Sequence, residues 1–399
     1  MPNPLDLFAV TALGLESIAA AELAALGVPR HAIRPEPGGV AWRGDARSLY
    51  AANLRLRTAS RVLVRVASFR ATAFWELERR ARPLAWERWL AAGSAVQVRA
   101  TCRKSRLYHS DAVAQRVLEA VVRRVSGVTG VAMAGDEGEG VEAPAGEEEA
   151  AADDATQLVV ARVAHDLVTR SVDASGELLH RRGYRQAVAR APLRETIAAA
   201  MLLAVGWDGS TPLVDPFCGS GTIPIEGALL ARRIAPGLVR ADRSSGFAFQ
   251  SWPELNARAW REEVDAARAE VRPGAEVPIV GSDRDAGAVA AARENATRAG
   301  VAADATFERR ALSDAAPPDG AGVGMLVTNP PYGVRVGDQA AVRDLWARFG
   351  QVVHERFGGW TAALLSPDPA LDRQTRLRLA ERFRTRNGGI PVRLVAGSP

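Results

Sequence analysis

The chain has 399 residues, 47% hydrophobic and 24% charged, a balance that excludes a mostly disordered, fibrous or collagen-like protein. No apolar run approaches the roughly 20 residues that span a bilayer, and Met1–Val10 lacks the basic and apolar regions of a secretory signal. Cys102 and Cys218 are too few for a disulfide scaffold, so a reduced, cytoplasmic setting is expected.

Charge is unevenly spread. Between Ser126 and Gln157 lie nine Asp or Glu residues and no Lys or Arg; taking these from a net +5 leaves +14 on the remainder. A basic body suits a polyanion-binding protein, although an arginine-biased enzyme that never meets nucleic acid would share it. All basic residues but Lys104 are arginine. The five histidines, His31, His109, His165, His180 and His354, lack ligand spacing, so no metal is expected.

In chain order, Leu5–Leu26 reads as a short apolar start followed by a helix that ends at Gly27 and Pro29. Arg61–Phe69 alternates like a strand, Trp75–Leu90 looks helical, Ala95–Ala100 extended and Asp111–Arg124 helical. Residues 131–156 are Gly-, Ala- and Glu-rich without aromatics, and read as a disordered acidic insertion. Leu158–Val163 and Leu167–Asp173 then read as strands around a tight turn at His165-Asp166. These elements form an expected α+β unit.

From Pro192 the texture changes. A helix over Arg194–Val205 precedes a strand at Pro212–Val214, a glycine turn over Asp215–Thr222 and a helix over Pro224–Arg233. Val277–Ser282, Thr306–Leu312, Gly324–Thr328 and Trp360–Leu365 read as strands, with a helix from Asp285 to Gly300. Strands alternating with helices imply a mostly parallel, doubly covered α/β sheet. The expected division is residues 1–183 and 184–399.

Three constellations carry chemistry. In Asp215-Pro216-Phe217-Cys218-Gly219-Ser220-Gly221-Thr222 a buried strand delivers an acid, then small residues, then a helix. The glycines admit close approach of backbone amides to a ligand, and Asp215 either accepts from a cationic ammonium or holds the loop. Neither the dinucleotide nor the P-loop glycine spacing is present. Cys218 reads as a small packed thiol rather than a nucleophile. At the next strand end, Asp283 can hold both hydroxyls of a ribose or act as a loop acid, while Asp285 suits the helix cap. After Met325–Val327 comes Thr328-Asn329-Pro330-Pro331-Tyr332. The prolines remove two donors and leave carbonyls beside the Asn329 amide oxygen, an acceptor pair for a planar amine, with Tyr332 for stacking.

Together these segments resemble class I S-adenosylmethionine-dependent methyltransferases acting on amino nitrogens. Tyr184-Arg185 with Ala191-Pro192-Leu193-Arg194-Glu195-Thr196, Phe247-Ala248-Phe249-Gln250-Ser251-Trp252-Pro253, Lys104–Ser110 and Ser171–Tyr184 are similar to THUMP-domain RNA guanine-N2 methyltransferases. The similarity spans nearly the whole chain except the acidic insertion; it extends to bacterial enzymes acting on large-subunit ribosomal RNA and to archaeal tRNA enzymes. The resemblance implies a Rossmann-like methyltransferase domain preceded by an α+β ferredoxin-like and THUMP RNA-binding region. It further implies S-adenosylmethionine as cofactor, with Asp215, Pro216, Cys218, Gly219, Gly221 and Thr222 around its methionine part. Asp283 would then hold the ribose, Arg284 would lie near the adenine edge, and Asp314 or Ser313 near the adenine amine. Asn329, also counted among the cofactor contacts, and the Pro330 carbonyl would grip the target amine, with Pro331 in the same loop and Tyr332 stacking. Where many members read Gly-Glu-Arg after the tyrosine, this chain has Gly333-Val334-Arg335, which removes a supporting acid.

RNA contact is expected from Lys104, Arg106, Tyr108 and His109, and from a second cluster at Arg181, Arg182 and Arg185; a solvated arginine face is the alternative for each. The expected product is N2-methylguanosine in 23S ribosomal RNA. Alternatives are a tRNA guanine-N2, a DNA adenine-N6 or a protein glutamine methyltransferase, and a non-catalytic RNA-binding assembly factor. A monomer without membrane association is the default.

Overall fold

The computed structural model describes residues 4–135, 156–185, 193–241, 246–332 and 339–399. Its strands, in chain order, are β1 (Leu5–Thr11), β2 (Arg34–Glu36), β3 (Gly39–Gly44), β4 (Ala59–Arg70), β5 (Ala95–Arg103), β6 (Thr129–Ala134), β7 (Thr156–Ala164), β8 (Leu167–Asp173), β9 (Leu213–Asp215), β10 (Ile279–Asp283), β11 (Thr306–Arg309), β12 (Met325–Thr328), β13 (Thr361–Ser366), β14 (Ala380–Asn387) and β15 (Ile390–Gly397). They form two sheets in two units. One comprises Met1–Thr11, Ala19–Leu179 and Gly237–Ala266; the other comprises Ala12–Ile18, His180–Pro236 and Ala267–Pro399.

The first unit carries an eight-stranded sheet ordered β2-β3-β1-β4-β8-β7-β5-β6. The β7–β8 hairpin turns at His165 and Asp166, both at positive φ, where the sequence places its tight turn. Residues 131–134, assigned to the acidic insertion, instead extend β6, which pairs in parallel with β5 at the sheet edge. Their alternating Val131 and Met133 supply strand propensity that composition averaged over the segment concealed. Residues 136–155 of that segment lie outside the described residues. The helix expected over Trp75–Leu90 is also shorter. It spans Phe74–Ala81 and gives way to a single 3-10 turn at Trp86–Arg88, because Pro83 cannot continue the helical ladder.

Residues 237–266 come from the second half of the sequence yet pack within this unit. The reason is aromatic. Phe247, Phe249, Trp252 and Trp260 surround Tyr50 and Trp89, with ring centroids 4.8 Å apart for both Tyr50–Phe249 and Trp89–Trp252. Polar tips are satisfied: Trp252 Nε1 donates to Gln157 Oε1 at 2.7 Å, and Tyr50 Oη accepts the Asn256 amide at 3.0 Å. Arg88–Glu254 and Arg55–Glu263 pairs, both 2.8 Å, flank the segment.

The second unit holds the sheet β11-β10-β9-β12-β13-β15-β14, parallel through β13 and closed by the antiparallel β14–β15 hairpin. Side-chain alternation assigns its faces. Leu213, Val327, Ala363 and Leu365 join Ile197, Ile225 and Val289 of three helices, Glu195–Ala204, Thr222–Ala231 and Ala286–Arg298. Val214, Leu326, Ala362 and Leu364 point the other way, to Trp346, Phe349 and Val353 of the helix Gln339–Arg356. This doubly covered parallel sheet is the expected α/β architecture, and it leaves the carboxyl ends of β9, β10, β11 and β12 side by side.

Trp252→Ala is expected to destabilise the first unit by about 3–5 kcal/mol, the usual range for emptying a buried aromatic position. Chemical denaturation followed by tryptophan fluorescence checks this; a midpoint equal to wild type would remove the anchoring role from the aromatic cluster.

Candidate active site

Three chain segments meet at the carboxyl edge of the second unit's sheet. β9 ends in Asp215, which is 1% exposed. Its Oδ1 accepts from Thr328 Oγ1 at 2.5 Å and from the Phe217 amide at 3.1 Å, so the carboxyl ties the end of β9 to the end of β12 and shapes the following turn. Of the two alternatives for this acid, these bonds show that it holds the loop. Burial raises its pKa to about 7, against the opposing hydrogen bonds from Thr328 and Phe217, with a smaller upward push from Asp283.

The turn Pro216–Gly221 runs across to β10. Cys218 donates its amide to Ser282 O at 3.0 Å, and Gly219 donates its amide to Asp283 Oδ2 at 3.1 Å. Gly219 sits at φ +52 and a Cβ there would meet nothing within 4 Å, so this stretch of backbone faces open space. Gly221, at φ +85, is required by packing: a Cβ would come within 2.9 Å of Ala292 and Phe307. It is the N-cap of the helix Thr222–Ala231. Pro216, Cys218 and Thr222 are buried, and the thiol of Cys218 is pushed well up by burial and by Asp215 and Asp283, which makes it an inert packed group.

Asp283 is half-buried at the end of β10, its second oxygen accepting the Asp285 amide at 2.9 Å. Asp285 caps the helix Ala286–Arg298 by accepting from the Gly287 amide at 2.8 Å, as its position suggests. Arg284 is exposed, and its carbonyl accepts from Arg309 Nε. β11 ends at Arg309 rather than Leu312, and Leu312–Asp314 form a 3-10 turn that leaves Asp314 exposed and Ser313 half-buried. The last rung of the β10–β11 ladder is the Arg310 amide donating to Asp283 O at 2.9 Å, and both strands end there.

After β12, Asn329 Oδ1 is buried and has no hydrogen-bond partner among the described residues. Pro330 is buried and Pro331 exposed, and the Pro331 carbonyl is engaged by Trp346 Nε1 at 3.2 Å. Tyr332 is half-buried, its hydroxyl accepting from Asn387 Nδ2 at 2.8 Å. Sequence reading missed Asn387, which lies 55 residues away on β14. Gly333, Val334 and Arg335 lie outside the described residues, as do Ala191 and Pro192.

The basic residues divide. Lys104, Arg106, Tyr108 and His109 are all exposed on the loop between β5 and the helix Ser110–Arg124, with the Tyr108 and His109 rings 4.0 Å apart. Asp166 accepts from the Arg106 amide at 2.7 Å and holds that loop. In the other cluster only Arg181 is exposed. Arg182 is buried, its Nε donating to Glu226 Oε1 at 2.8 Å beside a Tyr184 hydroxyl that donates to the same oxygen. Arg185 bonds to Glu195 at 3.0 Å and to Leu193 O at 2.8 Å. These two arginines are internal ion-pair partners and are withdrawn as surface contacts. Buried acids 44 and 10 residues further on claim them, which a run of like charge does not reveal. A surface feature that sequence reading overlooked is Trp75, 60% exposed with Arg79 stacked 5.0 Å from its ring centroid.

A model of the RMKL-like methyltransferase domain family matches residues 182–396, more than half of the chain. The chain belongs to this family. A model of the RlmL ferredoxin-like domain matches residues 6–63 of the RMKL-like chain. A provisionally named RNA methyltransferase of Synechocystis sp. is 35% identical over 97% of this chain and 95% of its own. The ribosomal RNA large subunit methyltransferase K/L of Syntrophotalea carbinolica is 36% identical over 99% of this chain and 54% of its own; the chain spans about half of that relative. Among solved structures, a provisionally assigned methyltransferase complexed with S-adenosylhomocysteine superposes with TM-score 0.83 at 27% identity, covering 100% and 99% of the two chains. A protein from Listeria monocytogenes named as a predicted N6-adenine-specific DNA methylase gives 0.82 at 31% identity, covering 100% and 97%.

The RMKL-like chain is a methyltransferase with S-adenosylmethionine as methyl donor. Its own geometry fits that group: an open glycine backbone at Gly219, a strand-end acid in Asp283 and a buried acid of raised pKa in Asp215 suit a ligand bearing ribose hydroxyls and positive charge. Among the described residues no group of three His, Cys, Asp or Glu could hold a metal, and no helix is long and apolar enough to cross a membrane.

A cation bound beside Asp215 favours its ionised form, so affinity must rise as pH rises through about 7. Calorimetry should show S-adenosylmethionine binding at least about tenfold tighter at pH 7.5 than at pH 5.5, a difference that Asp215→Asn flattens. The sign for stability is opposite. The folded state holds this proton more tightly than the unfolded chain, so the free protein loses this contribution as pH climbs from about 4 to 7.

Proposed function

We propose that this enzyme transfers a methyl group to the exocyclic amine of a guanine in RNA, with large-subunit ribosomal RNA as substrate. The observation that carries the reading is the buried Asn329 Oδ1 just after β12, without a hydrogen-bond partner among the described residues and next to Thr328, which bonds to Asp215. An acceptor held out of water without a partner costs free energy unless a ligand donor completes it.

Asp215, Pro216, Cys218, Gly219, Gly221 and Thr222 would line the methionine end of the cofactor, Asp283 its ribose, and Arg284 with Asp314 or Ser313 the adenine side. When bound, the cofactor supplies an electrophilic methyl group on a sulfonium. Every other contribution comes from the chain. A guanine amine is a poor nucleophile because its lone pair is delocalised into the ring. Accepting its two N–H bonds at Asn329 Oδ1 and the Pro330 carbonyl favours positive charge on nitrogen as attack proceeds, and orientation supplies much of the rest. Tyr332 offers its ring to the base, and Pro331 is fixed through Trp346. No strong general base is required, since the proton leaves after transfer.

The relatives named for RNA and for ribosomal RNA support the substrate class. The exposed loop at Lys104, Arg106, Tyr108 and His109 adds cations and stacking rings suited to single-stranded RNA, and the Trp75–Arg79 pair adds a third ring. A THUMP-type role for residues outside the ferredoxin-like match, and Arg181 as an additional phosphate contact, belong to the same reading. The Listeria relative's name favours adenine instead, and the same acceptor pair suits an adenine N6 amine.

Asn329→Ala should retain cofactor affinity by calorimetry while slowing methyl transfer by on the order of 10²-fold. Wild-type turnover in that variant would remove the residue from the reaction. Labelled methyl transfer to unmodified ribosomal RNA, tRNA, genomic DNA and total RNA, with nucleoside analysis, tests the substrate: N2-methylguanosine in ribosomal RNA is expected, and N6-methyladenine in DNA would overturn the assignment. Lys104→Glu with Arg106→Glu should weaken RNA binding and flatten its salt slope; equal affinity at each salt concentration would exclude the loop.

A further inference from the structure

We infer that Asn387 is a positioning residue for the target base, acting through Tyr332; the inference rests on the reading of Asn329–Tyr332 as the amine site. Strand register brings the two together. β12 and β13 run in parallel with Thr328 opposite Leu364, and β15 returns antiparallel with Ser366 opposite Arg393. Residues 387–392 therefore overhang the carboxyl ends of β12 and β13, level with the loop that carries Tyr332. The Gly388-Gly389 turn closes the overhang by pairing Asn387 with Ile390, and Ile390 packs with Tyr332 against one core cluster.

The inward face of β14 changes character along its length. Phe383, Thr385 and Asn387 alternate onto the buried side, so that face passes from apolar to polar as it reaches the site. Asn387 is 3% exposed, and its Nδ2 donates to Tyr332 Oη at 2.8 Å. Its Oδ1, like Thr385 Oγ1, is buried without a partner among the described residues. An apolar side chain would fill this place at lower cost, as Phe383 does four positions earlier. What the amide adds is a tether at the far end of the Tyr332 ring. A ring held at both ends keeps its plane when a base arrives, whereas a ring held at its root alone must be ordered during binding.

The test is a double-mutant cycle on whichever of the four nucleic acids above accepts label. Asn387→Ala and Tyr332→Phe should each slow single-turnover transfer roughly five- to tenfold, the worth of one hydrogen bond. The double variant should be no slower than either single one, because both remove the same bond. Affinity for S-adenosylhomocysteine by calorimetry should stay at the wild-type value throughout, a readout that general loosening of the fold would move. Multiplying losses, a wild-type rate in Asn387→Ala, or a cofactor affinity that falls with the rate would each overturn the inference. Should Asn387→Ala fail to fold, Tyr332→Phe decides, since it breaks the bond from the other side by deleting one oxygen; a wild-type rate there is fatal. An inactive Asn329→Ala beside multiplying losses would defeat Asn387 alone, whereas a wild-type Asn329→Ala would defeat the amine site beneath it.

Discussion

The buried hydrogen bond between Asp215 and Thr328 ties the end of β9 to the end of β12, and the proposed site is built on that tie. One partner ends the strand that opens the glycine turn, and the other ends the strand that opens the Asn-Pro-Pro-Tyr loop. Because β9 and β12 are neighbours, a single buried contact sets the glycine turn against the Asn-Pro-Pro-Tyr loop. Burying that carboxyl, with Asp283 nearby, disfavours its ionised form and raises its pKa. A ligand of positive charge would oppose that shift. The same carboxyl thus holds the loop and, in the proposed site, would favour a ligand of positive charge.

Around this contact the ends of the strands are linked to one another through backbone amides. Gly219 donates to Asp283, Cys218 to Ser282, and Arg310 to the Asp283 carbonyl, so the glycine turn, the end of β10 and the end of β11 are tied together. The acceptor side is fastened differently. Trp346 grips the Pro331 carbonyl from a helix, and Asn387 grips Tyr332 from the closing hairpin. Both fastenings use side chains far along the sequence, so they answer to the packing of the whole unit.

The buried arginines show the limit of charge as a guide. Arg182 and Arg185 belong to a basic stretch, yet each meets a buried glutamate on a helix of the second unit. Once paired inside, neither offers charge to a polyanion. The exposed loop at Lys104–His109 keeps its cations and rings outward, and there the residue pattern and the surface agree. Trp75 escaped notice because a tryptophan at a helix start reads as core until its surroundings are known.

The sequence by itself determined the alternating strands and helices of the second unit, the glycine turn, the strand-end acid, the helix cap at Asp285 and the Asn-Pro-Pro-Tyr loop. Each is a local matter: period, turn chemistry and capping act over a few residues, and the chemistry of a motif travels with it. Tertiary structure alone decided what needs distant partners. It placed Phe247–Trp260 in the aromatic core of the first unit, extended a strand into residues assigned to the acidic insertion, ended β11 early, sent Arg182 to Glu226 and brought Asn387 to Tyr332. In every such case the deciding contact joins residues well separated in sequence or depends on burial that only the packed fold creates, so no window read along the chain could contain it.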